Sequence, residues 1–339
     1  MMYKDFLLVF VAFDLNRWNN EGAPGDAPFS QGELSYQNAI HCPHGIRNLE
    51  RGIVLLVPCT SCEATEVFAE TPIALRLPQE GFDVCWVNLP FHGLGDMQLS
   101  GEFVAFAVNY LAEKSVSGKI NVVTYSQGGS NAQWAITFWP SIRNQIINFI
   151  TLAAPHKGTL LTRPICTSLN LLGGCLTSVL QMDRNSRYMN AVNNISSVND
   201  GKQALVPTTS VYTLIDEIVT PQASNPEGAS YVTGASNIAI QDACSKAHVV
   251  EHFGLIFDLA TYGLVYDALI HGRPASLRTF DRKYCEKHYK NLAHFALELP
   301  LDIQATWRTL FGNFFDRLNM IKRTLTSFRV PAEPLLMVQ

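Results

Sequence analysis

Five continuous apolar runs set the rhythm of the middle of the chain: residues 52–58 (GIVLLVP), 82–88 (FDVCWVN), 120–125 (INVVTY), 148–154 (NFITLAA) and 210–215 (SVYTLI). None alternates polar with apolar, so each predicts a strand buried on both faces, as in a parallel sheet covered by helices. Between them, residues 66–77, 101–114 and 128–138 carry apolar positions at three- and four-residue steps and predict helices. This order predicts a doubly wound α/β fold with a mostly parallel sheet. No repeat or low-complexity linker interrupts it. The expected organisation is one α/β domain over 41–290, an N-terminal segment over 1–40 and a C-terminal helical extension over 291–339.

The ends read differently. Residues 6–13 (FLLVFVAF) have the length of a signal-peptide core after Lys4, yet Asp5 interrupts the approach and no small-residue cleavage site follows. A truncated signal and a strand both remain open. Near the C-terminus, Trp307, Leu310, Phe311, Phe314, Leu318, Ile321, Leu325 and Phe328 line one helix face. That face either packs on its own domain or touches lipid.

Composition narrows the function classes. Charged residues make up 16% and apolar residues 47% of 339, against about 25% charged in ordinary soluble domains. Net charge is −4 with no long basic run, so there is no footprint for nucleic acid. No run reaches the ~18 residues of a membrane span. Eight cysteines, an even number, suit an oxidising compartment and secretion, whereas the sequon at Asn194-Ile195-Ser196 is a pattern that random sequence also produces.

Two short stretches compete for the chemistry. HVVEH, His248 to His252, matches the H-x-x-E-H pattern of zinc peptidases. On a helix its histidines would share a face, with Glu251 to handle a proton. A third ligand is wanting, unless Glu286 or His288 supplies it. VVTYSQGG, residues 122–129, is the stronger signal: strand, Ser126, Gln127-Gly128-Gly129, helix. This is the layout of a nucleophile elbow, in which small neighbours let two chain segments pass and a helix N-terminus faces developing negative charge. Thr124 stands where the usual pattern has its first glycine. A serine nucleophile needs a base and an orienting carboxylate, in the chain order nucleophile, acid, histidine. Asp216, at the end of an apolar run, and His252, followed by Gly254, satisfy that order.

TYSQGG, TFWPSIR (137–143), APHKGTLL (154–161), VPTTSVYTLIDEIVTPQASN (206–225) and VEHFG (250–254) together resemble the Candida antarctica lipase B family of fungal lipases, in family order over roughly residues 40–290. The resemblance implies an α/β-hydrolase fold and a lipase or carboxylic-ester hydrolase. Ser126 becomes the nucleophile, His252 the general base and Asp216 its partner, without metal or cofactor. It also implies oxyanion donors at Gln127 and Thr60, a pocket including Cys62, Val67 and Tyr125 on the alcohol side and His156 on the acyl side, and bridges Cys42–Cys85 and Cys244–Cys285. Residues 163–180 correspond to the family's mobile entrance helix.

The chain departs from its relatives at residues 59–62, where Cys-Thr-Ser-Cys replaces a glycine-rich loop. As an isolated motif, strand, C-x-x-C, helix is also the thioredoxin arrangement. Beside the elbow, a turn disulfide or two free thiols are the readings left open, and Cys166 with Cys175 is a further candidate pair. The expected partner is a hydrophobic ester, met by a monomer at a lipid–water interface. Two alternatives stand beside hydrolysis: an acyltransferase using the same acyl-serine, and a weakly active lipid-binding homologue.

Overall fold

The computed structural model describes residues 22–170, 174–194, 201–286, 329–330 and 332–337. The apolar run at residues 6–13 and the helix face at 307–328 lie outside the described residues, as do Ile195 and Ser196 of the sequon and His288.

The strands are β1 (Ile40–His41), β2 (Ile53–Val57), β3 (Asp83–Val87), β4 (Ile120–Tyr125), β5 (Ile146–Leu152), β6 (Cys175–Leu176), β7 (Thr208–Tyr212), β8 (Ser236–Ala239) and β9 (Arg329–Val330), of which β2, β3, β4, β5 and β7 come from the five apolar runs. Seven form one sheet in the order β1-β3-β2-β4-β5-β7-β8, parallel except for the antiparallel edge β1. The helices are α1 (Glu33–Asn38), α2 (Ala64–Phe68), α3 (Pro72–Arg76), α4 (Met97–Lys114), α5 (Gln127–Phe138), α6 (Thr162–Asn170), α7 (Thr177–Gln181), α8 (Arg187–Asn193), α9 (Ile240–Ala243) and α10 (Leu259–His271).

Continuous apolarity has the cause expected of it. In β2, Ile53, Leu55 and Val57 face one core with α1, α4 and α5, while Val54 and Leu56 face a second core with α2, α3 and α10. Every residue of β2, β3, β4 and β7 is buried. This is the α/β-hydrolase architecture, a parallel sheet covered on both sides.

Two boundaries moved. The helix expected over 66–77 is two helices, because Thr71 is forced out of helical backbone by the proline after it (ψ 152°), and its hydroxyl then caps α3. The strand expected over 210–215 ends at Tyr212, leaving Asp216 on the loop beyond it. Strand β8 and helix α10 had no expectation at all. Helix α10 is apolar on nearly every side, so no stripe marks it.

Strand order positions the site. The chain runs from β2 outward to β3, then returns to the other side of β2 for β4. Such a switch point opens a crevice at the carboxyl ends of the two diverging strands. Register aligns those ends, with Val57 opposite Thr124 and Tyr125 opposite Leu152. The segments carrying Thr60 and Ser126 leave the sheet there.

Candidate active site

Ser126 follows β4 with φ 53° and ψ −127°, a region that costs a non-glycine residue roughly 1–3 kcal/mol. Its surroundings hold it there. The Ser126 N–H donates to Leu152 O at 2.8 Å, and Gly129 N–H donates to Ser126 O at 3.0 Å. The two glycines after it are steric necessities. A Cβ on Gly128 would stand 2.5 Å from both Val57 O and Pro58 O, and one on Gly129 would stand 2.4 Å from Ala154 Cβ and 3.2 Å from Thr124 Oγ1. Thr124 is thereby accommodated where a glycine is usual: its side chain borders the space that Gly129 leaves empty.

The fold brings the three predicted residues together. His252 Nε2 lies 3.1 Å from Ser126 Oγ, and its Nδ1 lies 2.9 and 3.0 Å from the two Asp216 oxygens. Asp216 Oδ1 also accepts from Ile218 N–H at 3.0 Å and Val219 N–H at 2.7 Å, which fixes the carboxylate. Since a carboxylate only accepts, Nδ1 carries the ring proton, and Nε2 is free to accept from the serine hydroxyl. All three residues are buried.

Several supports had no signal in the sequence. Tyr125 OH donates to the His252 carbonyl at 3.1 Å, and its ring centroid lies 5.4 Å from the imidazole. Burial, and then the nearby Asp216 charge, push the Tyr125 hydroxyl well above its ordinary range, so it keeps its proton and remains a donor. Glu217 accepts from the His252 N–H at 3.1 Å. Tyr125 sits against the His252 loop, because a buried phenol needs a partner and that carbonyl supplies one.

At the candidate oxyanion site, the Thr60 hydroxyl donates to Gln127 Oε1, and Gln127 Nε2 donates to Gly93 O at 2.8 Å. The Thr60 hydroxyl proton is therefore engaged, which leaves its N–H as the group to stabilise an anion. Gln127 opens α5, and its own N–H has no carbonyl a turn earlier to bond. Cys62 is bridged to Cys59, and Val67 is a buried residue of α2.

His156 also departs from expectation. It is turned into the core between β5 and α5, with Nδ1 2.6 Å from Gln133 Oε1 and Nε2 2.9 Å from Thr151 Oγ1. Both ring nitrogens are satisfied inside the protein, so this is a core histidine rather than part of an acyl-side wall. Burial, and next the charge of Lys157, lower it to about 3, and it stays neutral.

HVVEH is an irregular loop and not a helix, so its histidines do not share a face. His248 Nε2 meets Asp258 at 3.0 Å, whereas His252 meets Asp216 and Ser126. Glu251 accepts from the N–H groups of Phe253 and Gly254. Among the described residues, no group of three or more His, Cys, Asp or Glu is arranged to hold a metal ion.

Four disulfides are present among the described residues: Cys42–Cys85, Cys59–Cys62, Cys166–Cys175 and Cys244–Cys285. The third links α6 to β6, within the stretch that corresponds to the entrance helix.

Comparison with known proteins decides the family. Lipase B of Pseudozyma antarctica is 33% identical over 245 residues, which are 72% of this chain and 69% of that protein. The chain belongs to the lipase B family. The crystal structure of Aspergillus fumigatus lipase B matches 93% of this chain and 73% of its own, with a TM-score of 0.69 and 26% identity. A Bacillus licheniformis lipase in its propeptide form shares the fold, with 17% identity, a TM-score of 0.50, 64% of this chain and 49% of its own covered. Residues 88–199 match a family described as putative serine esterase, DUF676. Lipase B membership makes the chain a lipase- or esterase-like α/β-hydrolase.

Proposed function

We propose that the chain hydrolyses hydrophobic carboxylic esters through an acyl-enzyme on Ser126. The observation that carries this reading is His252 bridging Ser126 at 3.1 Å and Asp216 at 2.9 Å. His252 Nε2 takes the proton of Ser126 as its oxygen attacks the ester carbonyl. Asp216 keeps Nδ1–H in place and stabilises the imidazolium. The N–H groups of Gln127 and Thr60 receive the developing oxyanion, an interaction that strengthens in the transition state. His252 then returns the proton to the leaving alcohol, and a water activated by the same nitrogen releases the acid.

Exposed apolar side chains support a hydrophobic substrate. Phe91, Leu160, Ile165, Ile215, Val249 and Phe253 all stand on segments that follow carboxyl ends of strands, the side of the sheet from which Ser126 projects. Among the described residues, no helix is long and apolar enough to cross a membrane. Four disulfides support an oxidising compartment, and we take the protein to be secreted and to act as a monomer.

The test is turnover of p-nitrophenyl esters of graded chain length, with and without added alcohol. Hydrolysis in water that strengthens with chain length is the expected result. Activity only with added alcohol would replace hydrolysis by acyl transfer, and inertness in both would leave a lipid-binding homologue.

A further inference from the structure

The turn after β2 holds Thr60 against the start of α5 without any glycine: from residue 58 to 63 the chain reads Pro-Cys-Thr-Ser-Cys-Glu. Its backbone is left-handed at Ser61, φ 61°, a conformation that a residue with a Cβ adopts at a cost. The segment packed against it is strained in the same sense. Phe91, His92 and Gly93 are three successive left-handed residues, at φ 52°, 55° and 72°, and only the last is glycine.

The two segments hold each other. Ser61 N–H donates to His92 O at 2.7 Å. A Cβ on Gly93 would meet Cys59 O at 3.4 Å, so the Cys59 carbonyl lies close against that backbone. Gln127 joins both through Thr60 Oγ1 and Gly93 O.

The Cys59–Cys62 disulfide closes a small ring around this turn, and Thr60 and Ser61 are the two residues inside it. Cys62 Sγ lies 3.1 Å from Thr60 O. This is a contact, since a bridged sulfur has no proton to donate. The peptide group joining Thr60 to Ser61 is therefore gripped at its oxygen by the bridge and at its N–H by His92. The other three disulfides lie outside this turn.

We propose that the Cys59–Cys62 bridge is a positioning element that aims the Thr60 N–H at the reacting carbonyl oxygen, an inference that rests on Ser126 being the nucleophile. With the bridge open, the turn loses its covalent tie and only hydrogen bonds to His92 and Gln127 hold Ser61 against relaxation toward negative φ, in which the neighbouring peptide groups would rotate with it. The oxyanion contact matters most in the transition state, so its loss lowers kcat and leaves KM nearly unchanged. The bridge also makes turnover sensitive to reductant. A dithiol delivers two electrons and two protons, leaves thiols at Cys59 and Cys62, and closes to its own cyclic disulfide.

The experiment uses the full chain and a soluble p-nitrophenyl ester. The double variant Cys59→Ser, Cys62→Ser should lose about 10–100-fold in kcat, the scale of one weakened oxyanion donor, with KM within about twofold. In the wild-type protein, kcat should fall in step with alkylation of Cys59 and Cys62 during a graded dithiothreitol treatment mapped by peptide mass spectrometry. The same treatment should leave the folded double variant unchanged. Wild-type kcat in the double variant overturns the proposal. So does undiminished wild-type turnover with both cysteines alkylated, or a loss that follows another disulfide instead. If the double variant does not fold, the dithiol series on the wild-type protein decides alone. A phosphonate ester run on untreated enzyme separates the two readings, because failure to label Ser126 sinks the serine mechanism rather than the bridge.

Discussion

Gly128→Ala places one methyl group between the elbow and the strand that leads to the oxyanion turn. The backbone at Gly128 is ordinary helix, so the cost is steric alone. The new Cβ would sit 2.5 Å from Val57 O and Pro58 O and 3.0 Å from Val57 C. Ordinary carbon–oxygen contacts are about 3.3 Å, so both carbonyls must recede by roughly 0.8 Å. These atoms are backbone at the carboxyl end of β2, without a rotamer to yield. Overpacking of this kind costs about 1–3 kcal/mol, which at about 2–4 °C per kcal/mol for a large domain lowers Tm by roughly 2–12 °C. Activity suffers more, because Thr60 lies two residues beyond Pro58 and moves with it. A misplacement near 1 Å costs on the order of 100-fold. The assays are a thermal melt and steady-state hydrolysis of a soluble ester at a temperature where the variant is fully folded. A variant with wild-type kcat would refute the reasoning, because it would show that the elbow does not register the oxyanion turn.

Other outcomes follow from single contacts. His156→Gln should flatten the acid side of the stability curve. The neutral His156 of the fold titrates at about 3 and an unfolded histidine near 6.5, so the unfolded chain binds the extra proton between those values. Stability from this group is complete above about pH 6.5 and is lost as pH falls toward 3, by at most about 5 kcal/mol; Tm measured from pH 7 to 4 should drop less in the variant, and parallel curves would contradict this. Tyr125→Phe deprives the buried His252 carbonyl of its donor at 3.1 Å. It should cost about 1–3 kcal/mol of stability and lower kcat about fivefold with KM unchanged; unaltered melting and kinetics would show that the hydroxyl does not support the loop.

What was legible in the sequence was local. The elbow could be read because a buried turn between strand and helix demands small residues at fixed positions, and Gly128 and Gly129 are those residues. Strands β2 to β5 could be read because burial on both faces leaves an unbroken apolar run. Chain order then limited the acid and the base to segments that end near the same sheet edge. What was not legible depended on packing partners far away in sequence. Nothing local distinguishes a Tyr125 that faces a substrate from one that reaches His252, 127 residues on. Nothing local turns His156 inward onto Gln133. HVVEH was a coincidental match to the zinc pattern, since its spacing carries meaning only on a helix, and here it is a loop whose two histidines answer to different carboxylates. The left-handed residues Ser61, Phe91 and His92 also went unseen, since none is the glycine or asparagine that normally marks such backbone.

The central claim is that Ser126 is the nucleophile and carries the acyl group. Mass spectrometry after reaction with a p-nitrophenyl phosphonate tests it most directly. The account predicts one equivalent of adduct on the peptide containing Ser126, release of one equivalent of p-nitrophenol and complete loss of ester cleavage. It also predicts no adduct on Ser126→Ala, whose turnover is reduced on the order of 10³-fold or more. An adduct on any other residue, or full ester turnover by Ser126→Ala, would contradict it.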